Sequence, residues 1–487
     1  MSTSPLRNPE PAAYPDLHLL IAGKWVAGEG RKSQPVVNPA TEEVIGQVPH
    51  ATQADLDRAL QAASDSFKSW RAMMPVDRGR ILKRAADLLR ERSDEIAAWA
   101  TMEEGKTLAE TRMEASMAAN CLEWYGEEGR RAYGRVLPQR APGLRLTVLK
   151  EPVGPVAAFA PWNFPLGNPA RKIGAALAAG CTCILKPAEE TPASAMAVAQ
   201  ALLDAGLPEG VLSVVFGVPA EISSYLIASP IIRKVSFTGS VPVGKELMKL
   251  AANGMKRTTM ELGGHAPVLV FEDADLEQTL DLSVASKFRN AGQVCVSPTR
   301  FYIHESLFDR FVEGFTQRTQ ALTVGNGLEP ASRMGPLAHP RRLEAMEALI
   351  SDAKSHGARV CTGGSRLPRR GYFWAPTVLA DVPNSARIMN EEPFGAVALL
   401  NRFSDFAAVM REANRLPYGL AAFAFTRSAR TVNLVGEQLE AGMVGINSFA
   451  ISVPESPFGG VKESGHGSEE GIEGLEACLV TKFVSEA

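Results

Sequence analysis

The sequence predicts a doubly wound α/β protein, in which a parallel sheet is covered by helices. Three observations carry this. From Pro155 onward, short apolar runs at 156–159, 182–185, 212–215 and 234–237 alternate with segments of helical period. A second α/β region begins at 267–270, with further strand-like runs at 300–303, 358–361 and 397–401. The chain of 487 residues is too long for one simple core, so two or three domains are expected.

The elements follow in order. Residues 1–17, rich in proline, read as a loose arm. Leu19, Leu20 and Ile21 face Lys24, Trp25 and Val26 across Ala22 and Gly23, a hairpin pattern. Asn38-Pro39-Ala40-Thr41 is a turn. Apolar residues at 56, 60, 63 and 67 recur at helical spacing over 52–68, and further helices are expected over 76–92, 94–103 and 107–133. Residues 144–153 begin with apolar/polar alternation and read as a strand of a protruding ribbon. Helices follow the four parallel runs, ending at Ala179 and spanning 191–205, 220–227 and 243–252. In the second region helices are expected over 276–291, 306–322 and 340–356. The tail after Pro457 is glycine-rich and ends in a strand-like run at 479–484.

Composition narrows the function classes. Apolar residues make up 45% and charged residues 22%, ordinary for a globular protein. A net charge of −3 provides no basic footprint for nucleic acid and no polybasic membrane patch. No apolar segment approaches the roughly 20 residues of a membrane span. Residues 1–15 have no apolar core and carry Glu10, so neither a secretory signal nor a transit peptide is expected. The six cysteines are scattered, which speaks for a reducing compartment, and no metal site is expected. A soluble, cytoplasmic protein is the expectation.

Some stretches carry chemistry. Cys295 follows a small glycine-containing loop, Asn290-Ala291-Gly292-Gln293-Val294. A thiol becomes a nucleophile once it loses its proton, and small neighbours leave room for a substrate. In a doubly wound sheet, ligands sit beyond the carboxyl ends of strands. The run 182–185 ends in Lys186-Pro187-Ala188-Glu189; a carboxylate there can accept both hydroxyls of an adenosine ribose and would repel a 2′-phosphate. The run 234–237 leads into Thr238-Gly239-Ser240, where Gly239 lets the backbone approach, Ser240 offers a hydroxyl and a helix N-terminus favours pyrophosphate. The usual Gly-x-Gly-x-x-Gly fingerprint is absent from these turns.

Seven motifs in order resemble the aldehyde dehydrogenase superfamily: Pro161-Trp162-Asn163-Phe164-Pro165, Lys186-Pro187-Ala188-Glu189, Phe237-Thr238-Gly239-Ser240, Met260-Glu261-Leu262-Gly263-Gly264, Gly292-Gln293-Val294-Cys295, Glu391-Glu392-Pro393-Phe394-Gly395 and Pro457-Phe458-Gly459-Gly460. The resemblance spans residues 20–487. It implies a Rossmann-type parallel-sheet cofactor domain (1–133 and 153–263), an α/β catalytic domain (264–466) and a small oligomerisation ribbon (134–152 and 467–487). By the same resemblance Cys295 is the nucleophile. Asn163, at a helix N-terminus, and the Cys295 N–H bind the oxyanion; Glu261 is the base that releases the thioester; Lys172 relays protons. Lys186, Glu189, Gly239 and Ser240 would hold the adenosine and pyrophosphate of NAD, with Lys186 leaving NADP open. Trp162, Glu392 and Phe394 would lie beside the nicotinamide end, and Glu469 would be a second acid. Glu470 and Ser468 depart from the common pattern, as does His265, where many members carry lysine; His265 is read as local packing.

Within the family the chain is similar to succinate-semialdehyde and 2-oxoglutarate-semialdehyde dehydrogenases. The former have arginines matching Arg171 and Arg289, which with Ser452 would grip a distal carboxylate; the stretches 186–192, 288–300 and 462–471 look closer to the latter. Ser297 stands two residues beyond Cys295, so no regulatory disulfide is expected there. A broad aliphatic or aromatic aldehyde dehydrogenase is the rival reading, and a non-catalytic structural protein a remote one. A coenzyme-A-acylating member is disfavoured by Glu261. The ribbon suggests a homodimer or homotetramer.

Overall fold

The computed structural model describes residues 13–487. The expected arm at 1–17 therefore lies mostly outside the described residues. Two parallel-rich sheets, each with its own apolar core, form the body.

The first sheet has eight strands, in the order Lys24–Val26, Leu19–Ile21, Leu212–Val214, Cys183–Lys186, Val156–Phe159, Lys234–Thr238, Arg257–Glu261 and Gly465–His466. The middle five run parallel. Numbered along the chain, these five stand in the order 3-2-1-4-5. The order reverses between Val156–Phe159 and Lys234–Thr238, the crevice where a doubly wound sheet takes its ligand. The hairpin at 19–26 forms as expected, with Ala22 and Gly23 both at positive φ.

The second sheet has seven strands, in the order Arg359–Thr362, Thr377–Ala380, Val397–Phe403, Pro298–His304, Ala266–Val270, Ala421–Phe425 and Met443–Ile446. Only the Arg359–Thr362 edge pairs antiparallel. A separate three-stranded ribbon joins Arg135–Leu137, Arg145–Pro152 and Leu479–Glu486. Among the described residues, no helix is long and apolar enough to cross a membrane.

Several expectations need correction. The strands Arg257–Glu261, Thr377–Ala380, Ala421–Phe425 and Met443–Ile446, and the hairpin of Ser33–Asn38 with Glu43–Pro49, carry no clear period in the sequence and were not expected. The helix expected over 276–291 stops at Phe288, because Asn290 and Ala291 turn to φ 48° and 50°. The helix expected over 107–133 ends at Glu128, followed by one tight turn. Gly465–His466, expected in the catalytic domain, instead closes the edge of the first sheet beside Met260 and Glu261.

One helix sets up the site. Gly167–Ala179 is buried along its whole length, which explains its alanine and glycine content, and Gly180 ends it at φ 91°. Arg171 and Lys172 lie on this helix, so their charges need partners inside the protein.

Candidate active site

Two loops meet at the carboxyl end of the first sheet. One follows Val156–Phe159 and carries Trp162 and Asn163; the other follows the helix Leu276–Phe288 and carries Cys295. Asn163 ties them together. Its side-chain amide donates to the Gln293 carbonyl at 3.1 Å, and its carbonyl accepts from Asn290 Nδ2 at 3.0 Å and Lys106 Nζ at 2.6 Å. Contrary to the expectation from the sequence, Asn163 is not at a helix N-terminus: the helix starts at Gly167, and Asn163 lies in the loop before it.

Cys295 is half-buried in a turn closed by the Ser297 N–H donating to the Val294 carbonyl at 3.0 Å. Among the described residues nothing accepts from the Cys295 N–H. Gly292, at φ 74°, is forced by close packing: a Cβ there would stand 2.0 Å from the Gly395 carbonyl oxygen. Burial pushes the Cys295 thiol up to about 12, against the opposing pull of Arg171. The resting sulfur therefore keeps its proton, and an acceptor must remove it before attack.

Glu261 ends its strand, is 2% exposed, and neither carboxyl oxygen has a hydrogen-bond partner among the described residues. Burial, then the charge of Glu469, push its carboxyl well above the usual range. Lys172 Nζ donates to Glu469, to Thr238 Oγ1 at 2.8 Å and to Ser236 Oγ at 3.2 Å. Lys172 and Glu469 thus form a buried pair, and both charges act on Glu261.

Arg171 is engaged on two sides. Its Nε donates to Glu470 at 2.9 Å and its Nη2 to Ser452 Oγ at 2.7 Å, with the guanidinium 4.4 Å from the centre of the Phe458 ring. Burial works against its charge, but Glu470 and Glu469 more than offset it and raise its pKa. Arg289 forms no ion pair among the described residues and lies 5.6 Å from the centre of the Phe164 ring. The Cys295 thiol feels the charge of Arg171; burial lowers the Arg289 pKa, opposed by Glu110, Cys295 and Glu114, while Arg171 adds to the lowering.

A cavity of about 550 Å³ opens at the switch point, lined among others by Lys186, Glu189, Phe237, Gly239 and Val243. Glu189 accepts from Lys186 Nζ at 2.7 Å and from the Gly217 N–H at 3.1 Å. Ser240 is exposed at the start of the helix Val241–Ala252 and does not line this cavity. Glu392 accepts from the Gly264 N–H at 3.1 Å, and a Cβ at Gly263 would stand 2.4 Å from its Oε2. Burial lifts the Glu392 carboxyl to about 7. Phe394 meets the Trp162 ring edge-on at 5.6 Å. His265 is buried and donates to the Ile388 carbonyl at 2.9 Å; burial keeps it neutral.

Three residues that shape this site were not singled out from the sequence. Lys106 bonds Glu114 at 2.7 Å, and Glu114 accepts from the Leu166 and Gly167 N–H groups at 2.8 and 3.1 Å. Lys287, which is buried, donates to Ser297 Oγ at 2.9 Å, and burial lowers its pKa to about 7. A lysine in a helix or turn gives no sign in one sequence that it will be buried. The only available signal was proximity to the motifs.

Comparison with known proteins agrees with this architecture. Residues 25–484 match the model of the "Aldehyde dehydrogenase family". A Comamonas testosteroni protein named 4-(hydroxymethyl)benzenesulfonate dehydrogenase TsaD1 is 50% identical over 99% of each chain. Succinate-semialdehyde dehydrogenase [NADP(+)] GabD of Escherichia coli is 43% identical over 96% of each. The crystal structure of Staphylococcus aureus betaine aldehyde dehydrogenase in complex with NAD+ superposes with a TM-score of 0.94 at 32% identity, covering 96% of this chain and 95% of that one. The chain belongs to the aldehyde dehydrogenase family, and it is an oxidoreductase acting on aldehydes.

Proposed function

We propose that this aldehyde dehydrogenase uses NAD to oxidise an aldehyde that carries a distal anionic group. The foremost candidates are succinic semialdehyde, giving succinate, and 2-oxoglutaric semialdehyde, giving 2-oxoglutarate. The observation that carries the reading is the pair Arg171 and Arg289: the Cys295 thiol feels the charge of Arg171, and Arg289 feels that of Cys295. A planar guanidinium grips a carboxylate or sulfonate better than a neutral group.

The residues fit a dinucleotide. The switch-point cavity has a carboxylate and an ammonium on its wall, Glu189 and Lys186, and the N-terminus of the helix Val241–Ala252 beside it. Glu392, Phe394 and Trp162 would flank the nicotinamide end. When bound, the nicotinamide supplies the hydride acceptor that turns a thiohemiacetal on Cys295 into a thioester. Cys295 attacks the aldehyde carbon once its proton is taken. Asn163 Nδ2 and the Cys295 N–H would donate to the oxyanion; removing one such donor typically costs about 2.7–4 kcal/mol of barrier. Glu261, free of hydrogen bonds among the described residues, can orient and deprotonate the water that releases the acid. Lys172 with Glu469 would carry that proton away. Glu189 favours NAD; equal kcat/KM with NADP would remove that part of the reading.

A second reading, an aldehyde bearing an aromatic sulfonate, is favoured by the 50% identity to the benzenesulfonate dehydrogenase. The division into a cofactor domain, a catalytic domain and an oligomerising ribbon belongs to the same proposal, as do a cytoplasmic location and a homodimer or homotetramer built on the Leu479–Glu486 ribbon. The test is a panel of aldehydes with and without a terminal carboxylate or sulfonate, read by NADH absorbance. Anionic aldehydes should have the higher kcat/KM. Equal values across the panel would point to the broad-specificity rival.

A further inference from the structure

We propose that Glu470 is a specificity-determining residue, which neutralises Arg171 from inside and leaves Arg289, a guanidinium with no ion-pair partner among the described residues, to meet the anionic end of the substrate. The inference rests on the reading of Arg171 and Arg289 as the anion-binding end of the pocket. Glu470 is fully buried and sits at φ 58°. A residue with a side chain adopts that backbone only when its surroundings hold it there, and such positions cluster at functional sites. Its N–H donates to the Tyr125 hydroxyl at 2.8 Å, which fixes the backbone.

Its carboxylate does two things. It accepts from Arg171 Nε at 2.9 Å, and it lies 3.4 Å from Ser452 Oγ, which itself accepts from Arg171 Nη2 at 2.7 Å. Glu470 and Ser452 thus close the Nε–Nη2 side of the guanidinium, the edge suited to bidentate gripping of a carboxylate. The incoming anion is left with the Nη1 side of Arg171 and with Arg289, which has no ion pair among the described residues. Of the two guanidinium groups, Arg171 is thus directly paired with a carboxylate, whereas Arg289 feels Glu110 and Glu114 without an ion pair to either and keeps its charge for the substrate. That charge matches an aldehyde with one anionic group, and a second negative charge on the substrate would face Glu470 unopposed.

The experiment measures a selectivity ratio, kcat/KM for succinic semialdehyde over kcat/KM for butanal. Wild type, Glu470→Gln, Arg171→Gln and the double variant are compared. Glutamine still accepts from Arg171 but carries no charge. Glu470→Gln should raise the ratio about tenfold, as removal of one partly screened like charge predicts. Arg171→Gln should lower it, and the double variant, with the wild-type pocket charge, should return it to near the wild-type ratio. A ratio that Glu470→Gln leaves unchanged or lowers would overturn the proposal and reduce Glu470 to a support for Arg171. If Glu470→Gln does not fold, the double variant against Arg171→Gln decides: no rise in the ratio would overturn it equally. The anion reading itself stands or falls separately, on whether wild type prefers succinic semialdehyde to butanal at all.

Discussion

Replacing Lys106 with methionine should damage catalysis from outside the pocket. Lys106 is 2% exposed and its ammonium carries four contacts: Glu114 at 2.7 Å, Glu104 at 3.9 Å, the Asn163 carbonyl at 2.6 Å and the Phe164 ring at 4.3 Å. Methionine keeps most of the stem but no charge. Glu114 would then be a buried carboxylate whose remaining partners are the Leu166 and Gly167 N–H groups. Breaking one side of a buried pair costs about 3–5 kcal/mol. The same change frees the loop holding Asn163. If the Asn163 amide strays from the oxyanion, up to about 2.7–4 kcal/mol of barrier is at stake, a 10²–10³-fold loss of kcat. The assay is steady-state NADH formation together with urea inactivation. The urea midpoint should fall and kcat should drop at least about tenfold, while KM for NAD changes little because Lys186 and Glu189 belong to other elements. A Lys106→Met enzyme with wild-type kcat and an unshifted midpoint would refute the reasoning.

Two further outcomes follow. Because the folded Glu261 carboxyl titrates well above 4.5, the unfolded chain releases this proton at a lower pH than the folded one. Wild-type stability should therefore fall, relative to Glu261→Gln, by about 1.4 kcal/mol per pH unit from pH 4.5 up to the raised folded value; a pH-independent difference in urea midpoints would count against a buried, unpaired acid. Arg289→Met should cut kcat/KM for succinic semialdehyde by the loss of one charge-assisted hydrogen bond, about 1.5–3 kcal/mol or roughly 10- to 150-fold. The same loss with butanal would mean that Arg289 supports the loop rather than the anion.

The parallel strands around the switch point were legible because four apolar runs alternate with helical period, and their carboxyl-end turns carry Lys186, Glu189 and Gly239. Arg257–Glu261 was not, although it bears Glu261, because Arg257, Thr258 and Thr259 hide its strand character behind polar residues. The seven motifs marked Cys295, Asn163 and Glu261 as partners. They gave no hint that Lys106 would anchor the Asn163 loop, since that contact joins residues 57 positions apart. Arg171 was legible as a charge near the site, whereas its engagement by Glu470 joins residues 299 apart and depends on how the tail folds back. Nor does the motif show that burial around Cys295 outweighs the nearby guanidinium and holds the proton on the thiol.

The central claim is that Cys295 carries the acyl group and Glu261 releases it. The direct test is rapid mixing of Glu261→Gln with NAD and succinic semialdehyde, followed by acid quench and mass spectrometry of the Cys295 peptide. The account predicts a burst of NADH near one per subunit, then slow turnover, with a succinyl thioester trapped on Cys295. A burst with unmodified Cys295, or full steady-state turnover without Glu261, would contradict it.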